Sequence, residues 1–274
     1  GLSLFHSVAS FNNSGFDVLG NGTSLIPYQK DVLLNLVTCA LVIAGGIGFP
    51  VIFELPLKHF SWKRQSMHTR VVLSTTFALL LFGTLLLKLT ESISWLGAFF
   101  YSVSARTAGF STYNLSDFST AGLLVVSGLM FIGASPASTG GGIKTTTFFV
   151  LLSGIYSAAT NHSERAFHNA IPKDAFRKAS VISMLAVFLV MTASYLMLIF
   201  DPQLSLRDVL FEMISAFSTS GLSTGITPQL SAQSRILSII MMYIGRLGPL
   251  TVASLWYFTI GERVRYPEGT IAIG

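Results

Sequence analysis

Five stretches of the chain, 32–54, 70–90, 120–155, 179–200 and 235–261, are apolar almost throughout. A helix of about 20 such residues crosses the roughly 30 Å of bilayer hydrocarbon, so each stretch is expected to span a membrane. The third is too long for one straight helix. It is interrupted by Gly133-Ala134-Ser135-Pro136-Ala137-Ser138-Thr139-Gly140-Gly141-Gly142, whose glycines and proline oppose continuous helix. Three shorter apolar segments, near 3–11, 95–105 and 207–217, are helix-capable but too short to cross. They are expected to be re-entrant pore helices. Each leads into polar, glycine-containing residues whose backbone needs protein or ion partners if held at membrane depth.

The pattern then repeats as whole motifs. Ser10-Phe11-Asn12-Asn13-Ser14-Gly15-Phe16, Ser104-Ala105-Arg106-Thr107-Ala108-Gly109-Phe110 and Ala216-Phe217-Ser218-Thr219-Ser220-Gly221-Leu222 align without gaps. Downstream, Ile43-Ala44-Gly45-Gly46-Ile47-Gly48 matches Tyr243-Ile244-Gly245-Arg246-Leu247-Gly248, with Ile132-Gly133-Ala134 at the equivalent place in the interrupted span. The unit is span, pore helix, loop, span. It divides the chain into 1–60 (second half of one unit), 61–177 (a complete unit with the interrupted span) and 178–274 (a last unit with a tail). The expected fold is an all-α integral membrane protein with repeated units around a central pore, in a potassium-channel-like pseudo-fourfold arrangement. Because the chain opens on Gly1-Leu2-Ser3 without an initiator Met, its N-terminal repeat is expected to be absent.

Composition agrees: 51% of residues are apolar and only 11% are charged. The formal charge of +5 does not form the single basic stripe that nucleic acid requires, so nucleic acid is not an expected partner. Lys58, Lys63, Arg64 and Arg70 share one loop, Arg165, Lys173, Arg177 and Lys178 another, and Arg263 and Arg265 follow the last span, which makes these ends cytoplasmic. Asp17, Asp31, Glu91, Asp117, Asp201, Asp208 and Glu212 gather at the opposite ends, where they are expected to attract cations. The lone Cys39 permits no disulfide framework, and the five histidines are assigned no catalytic part.

A cation crossing a bilayer needs oxygens in place of its hydration shell, and carbonyls at the end of a re-entrant helix supply them. The candidate ligands are the carbonyls of Asn13, Ser14 and Gly15, of Thr107, Ala108 and Gly109, and of Thr219, Ser220 and Gly221. Close helix packing is the other use of such small residues. The interrupted span places Gly133, Gly140, Gly141, Gly142 and Lys144 at mid-membrane depth, as a movable gate or a static kink. Arg246, where the other units have Gly46 and Ala134, is expected either to repel cations or to form an intramembrane salt bridge. Arg106 is expected to brace its loop from behind, since a guanidinium on the axis would repel cations.

These motifs, with Gly140-Gly141-Gly142-Ile143-Lys144-Thr145 and Gly245-Arg246-Leu247-Gly248-Pro249, resemble the Trk/Ktr/HKT superfamily of potassium transporters, most closely its bacterial Ktr-type membrane subunits. The resemblance implies a multi-pass subunit of the bacterial plasma membrane that conducts potassium and is stimulated by sodium. It further implies a homodimer, a cytosolic nucleotide-binding regulatory ring, gating by the 133–146 loop and an arginine below the filter at Arg246. No cofactor is expected beyond potassium, with sodium as the alternative ion. A sodium-conducting relative and the potassium-binding subunit of an ATP-driven pump are rival readings within the superfamily. An intramembrane serine protease, prompted by Ser220 beside Gly221, lacks a histidine in any expected span to act as its base.

Overall fold

The computed structural model describes residues 1–249 and Thr251, apart from 18, 21, 162–164, 168 and 173. Lys173, His162, His168, Arg263, Arg265 and the end of the last expected span therefore lie outside the described residues. Ten helices are described: α1 (Leu2–Phe11), α2 (Val32–Gly46), α3 (Phe49–Leu57), α4 (Met67–Thr90), α5 (Trp95–Ser104), α6 (Thr120–Phe131), α7 (Thr145–Thr160), α8 (Ala175–Phe200), α9 (Leu206–Ser218) and α10 (Ala232–Leu247). A short antiparallel hairpin, β1 (Arg165–Ala166) with β2 (Asn169–Ala170), lies between α7 and α8.

Among the described residues α4 and α8 are long and apolar enough to cross a membrane, and α2 with α3 makes a third if counted as one bent span. The exposed side of α8 carries Val181, Met184, Phe188, Met191, Tyr195 and Ile199, an apolar stripe at helical spacing. In water that stripe would be a liability, whereas acyl chains solvate it. The expected straight span over 32–54 is a correction: the chain bends by 97° between α2 and α3. Gly48, at φ +90°, makes the turn, and Pro50 opens α3 where its missing N–H is harmless. A Cβ on Gly48 would lie 2.4 Å from the Pro136 carbonyl oxygen, so only glycine fits. Within the last expected span α10 stops at Leu247, capped by Gly248 at φ +92°.

Several of the helices are capped alike. Asp31, Ser119 and Ser231 are the N-caps of α2, α6 and α10, each accepting from a backbone N–H in the first turn. Ser94 and Ser205 cap the shorter α5 and α9 in the same way. Such a cap stabilises a helix by about 1 kcal/mol. A single-turn helix precedes each of the first three caps, at Ile26–Tyr28, Leu115–Asp117 and Thr227–Gln229. The core gathers around the short helices: Tyr101 and Phe211 pack with α4 and α6, and Phe217 and Met213 pack with α8 and α10.

Candidate functional site

α1, α5 and α9 end in loops of one backbone design. Asn13, Thr107 and Thr219 have φ of +51°, +76° and +54°, and two residues later Gly15, Gly109 and Gly221 have φ of +62°, +82° and +83°. A threonine at positive φ is strained, because its branched Cβ crowds the backbone. The recurrence of that strain at equal places marks a conformation the surroundings enforce. Local bonds hold it: the Ser14 amide donates to the Ala9 carbonyl and the Ser220 amide to the Ser215 carbonyl, both at 3.0 Å.

The loops converge at Gly15, Ala108, Gly109, Ser220 and Gly221. A Cβ on Gly109 would stand 2.3 Å from the Ser220 carbonyl oxygen, and one on Gly15 would stand 2.6 Å from that of Ala108. The Thr107 loop thus sits between the other two, backbone against backbone. Behind it, the Ser220 hydroxyl donates to the Ala105 carbonyl at 3.5 Å. The following helices approach as closely: a Cβ on Gly45 would fall 1.8 Å from the Phe11 carbonyl oxygen, and one on Gly245 would fall 1.7 Å from that of Phe217.

The segment between α6 and α7 lies against the Thr107 and Thr219 loops and the end of α1. A Cβ on Gly140 would meet Thr107 Oγ1 at 2.0 Å, and one on Gly141 would meet Thr219 Oγ1 at 2.5 Å. Thr139 Oγ1 reaches the Phe11 carbonyl at 3.5 Å and the Gly45 carbonyl at 3.2 Å. Gly133 packs on the Gly141 carbonyl, and Gly142 closes the segment at φ +70°. A parallel bridge between Ile132 and Ile143 and a buried 2.9 Å bond between the Ser135 and Thr145 hydroxyls fasten its base.

Cations hold its carbonyls. Arg246 Nη1 donates to the Thr139 carbonyl, and Lys144 Nζ donates to the Gly140 carbonyl at 2.7 Å. Arg246 forms no salt bridge with a carboxylate among the described residues. Arg106 is 7% exposed and donates through Nη2 to the Gly133 carbonyl at 3.3 Å, linking the Thr107 loop to the start of the segment. Nothing in the sequence marks Thr139, whose carbonyl holds Arg246, or Ala137, whose carbonyl accepts from the Phe49 amide at 3.0 Å; the Gly48-Phe49-Pro50 breaker was the available signal for the bend that brings Phe49 there.

The acidic residues are largely occupied. Glu91 accepts from the Ser119 amide and hydroxyl at 3.0 and 2.6 Å, and Asp201 accepts from the Ser231 amide and hydroxyl at 3.1 and 3.0 Å. Asp208 pairs with Arg207, and Glu212 is buried with Thr227 as donor. Glu91 and Asp201 thereby fasten the end of one helix to the cap of another, a role the expected cation-attracting face did not foresee.

The family model described as TrkH, cation transport protein, matches residues 2–87 and 67–259. The chain belongs to this TrkH family. Its members are transporters, which removes the protease reading. Ktr system potassium uptake protein B of Vibrio alginolyticus is 36% identical over 99% of this chain and 62% of its own length. Ktr system potassium uptake protein D of Bacillus subtilis is 35% identical over 99% and 63%, and the potassium/sodium uptake protein NtpJ of Enterococcus hirae is 34% identical over 100% and 64%. The chain thus spans just over three fifths of these relatives. The crystal structure of the potassium transporter TrkH from Vibrio parahaemolyticus shares the fold at a TM-score of 0.75, with 17% identity over 92% of this chain and 57% of that one.

Proposed function

We propose that this chain is the ion-conducting part of a potassium uptake system of the Ktr kind, with its three converging loops as sides of one selectivity filter. The observation that carries the reading is the thrice-repeated alternation of positive φ, ordinary φ and positive φ in loops that touch backbone to backbone. Alternation of that kind turns successive carbonyls toward one side, where together they replace a cation's water shell. The relatives, potassium uptake proteins by name, support potassium as the ion, and the potassium/sodium uptake protein of Enterococcus hirae keeps sodium as a second candidate. In this reading the pore closes with a fourth loop in addition to the three, as a pseudo-fourfold ring in a bacterial plasma membrane.

The 133–144 segment is then the gate. Arg246 and Lys144 hold it shut by binding carbonyls, and flux requires those bonds to break. A homodimer and a cytosolic nucleotide-binding ring are the partners proposed to supply that work, with sodium as a stimulating ion. The test is uptake by the full-length protein in potassium-starved cells, comparing potassium, rubidium and sodium. Potassium and rubidium uptake above vector-only cells is expected; if none of the three ions enters, the proposal falls.

A further inference from the structure

We infer that α3 and the turn after it form a docking site for anionic phospholipid headgroups, set in the leaflet that meets the basic loops and mechanically joined to the 133–144 segment. The inference rests on the membrane-embedded transport reading above. Because the chain bends by 97° at Gly48, α3 runs across the direction of α2 instead of continuing it. Phe49, Phe53 and Leu57, at i, i+4 and i+8, form one row that is 68%, 58% and 64% exposed; after α3, Phe60 and Trp62 are exposed too, Trp62 meeting Phe167 edge-on at 5.8 Å. The opposite side is engaged: Val51 is buried, and Glu54 accepts from the Ser66 amide at 2.7 Å.

Charge decides what covers the row. Across 49–70 the sequence holds four fixed cations, Lys58, Lys63, Arg64 and Arg70, against Glu54 as the lone carboxylate, and Lys58 already pairs with it. Lys63 and Arg64 are exposed beside Trp62 in the turn Trp62–Arg64. An aromatic row bordered by surplus lysine and arginine is the composition of a helix lying in the headgroup layer. The neighbouring α4 packs on α3, and its own exposed Phe77 and Leu81 suit contact with acyl chains.

The site is joined to the candidate gate. The Phe49 amide, first in α3, donates to the Ala137 carbonyl at 3.0 Å, and the Ser135 amide donates to the Gly46 carbonyl at 3.0 Å. A displacement of α3 in the headgroup layer therefore pulls on the segment that Arg246 and Lys144 hold.

The experiment uses the full-length protein with Trp95→Phe and Trp256→Phe, so that Trp62 is the reporter among the tryptophans of this chain. It is reconstituted in phosphatidylcholine vesicles with or without phosphatidylglycerol, one lipid at a time carrying brominated chains. Brominated phosphatidylglycerol is expected to quench Trp62 several-fold more than brominated phosphatidylcholine at equal mole fraction. In Lys63→Gln with Arg64→Gln the two lipids should quench alike. Equal quenching in the parent protein, or a preference that survives the double substitution, would overturn the site. Potassium flux in the same vesicles should change with phosphatidylglycerol in the parent and not in the double variant; a parent flux indifferent to the headgroup would overturn the link to the gate. Quenching needs no flux, so a protein that moves no potassium in any vesicle contradicts the transport reading alone.

Discussion

Single residues already carry distinct, measurable loads. Gly109 and Gly221 share nearly the same positive φ, yet a Cβ on Gly109 would stand 2.3 Å from the Ser220 carbonyl, whereas the nearest atom to one on Gly221 is 3.8 Å away. Gly221→Ala thus meets only backbone strain of about 1–2 kcal/mol, while Gly109→Ala also displaces a proposed ion ligand. Rubidium uptake should fall at least tenfold further for Gly109→Ala, and equal losses would argue against the packing order of the loops. Replacing Arg246 by Gln removes the charge that holds the Thr139 carbonyl, so resting rubidium efflux from loaded cells should rise several-fold; unchanged efflux would show that this contact does not hold the gate. The three glycines were legible in the sequence because their spacing repeats. Thr139 was not, since its part lies in a backbone carbonyl that every residue possesses, and only the fold selects it.

At the level of elements, the short helices and the interrupted span were visible as apolar runs of the wrong length for crossing. The bend between α2 and α3 was not, because apolar composition continues through it and only Gly48 and Pro50 punctuate the run. Asp201 shows how elements are tied. It is partly shielded from water, which alone would raise its pKa, but hydrogen bonds from Ser234, from the amide and hydroxyl of Ser231 and from Gln203 outweigh this and hold its carboxyl below the usual range. A carboxyl so depressed stabilises the fold above its unfolded pKa, about 3.9, and loses that contribution as pH falls through the folded value. The melting temperature of Asp201→Asn should lie a few degrees below the parent at pH 7, and the gap should narrow as pH drops below about 4. A gap that widens in acid would reverse the sign of this account. Close helix approach gives a second contrast. Gly245→Ala drives a Cβ to within 1.7 Å of the Phe217 carbonyl, while a Cβ on Gly128 in α6 meets nothing within 4 Å. The first should abolish detergent-stable monodisperse protein on size exclusion, and the second should leave it intact.

For the molecule as a whole, the acidic residues illustrate what pattern alone conceals. Their clustering at one set of helix ends was plain, but their use in binding the Ser119 and Ser231 caps depends on which helix begins beside which. The same folding brings three loops, far apart along the chain, into backbone contact and lays the 133–144 segment against two of them. Conduction through those loops is the central claim, and ion preference tests it most directly. Initial uptake rates of potassium and sodium should be measured for the full-length protein and for Gly109→Ser in the same potassium-starved cells. The account predicts potassium preferred over sodium in the parent and a ratio driven toward one in the variant, because the added side chain displaces the Ser220 carbonyl. A variant that transports at the parent's rate with the parent's preference would contradict it.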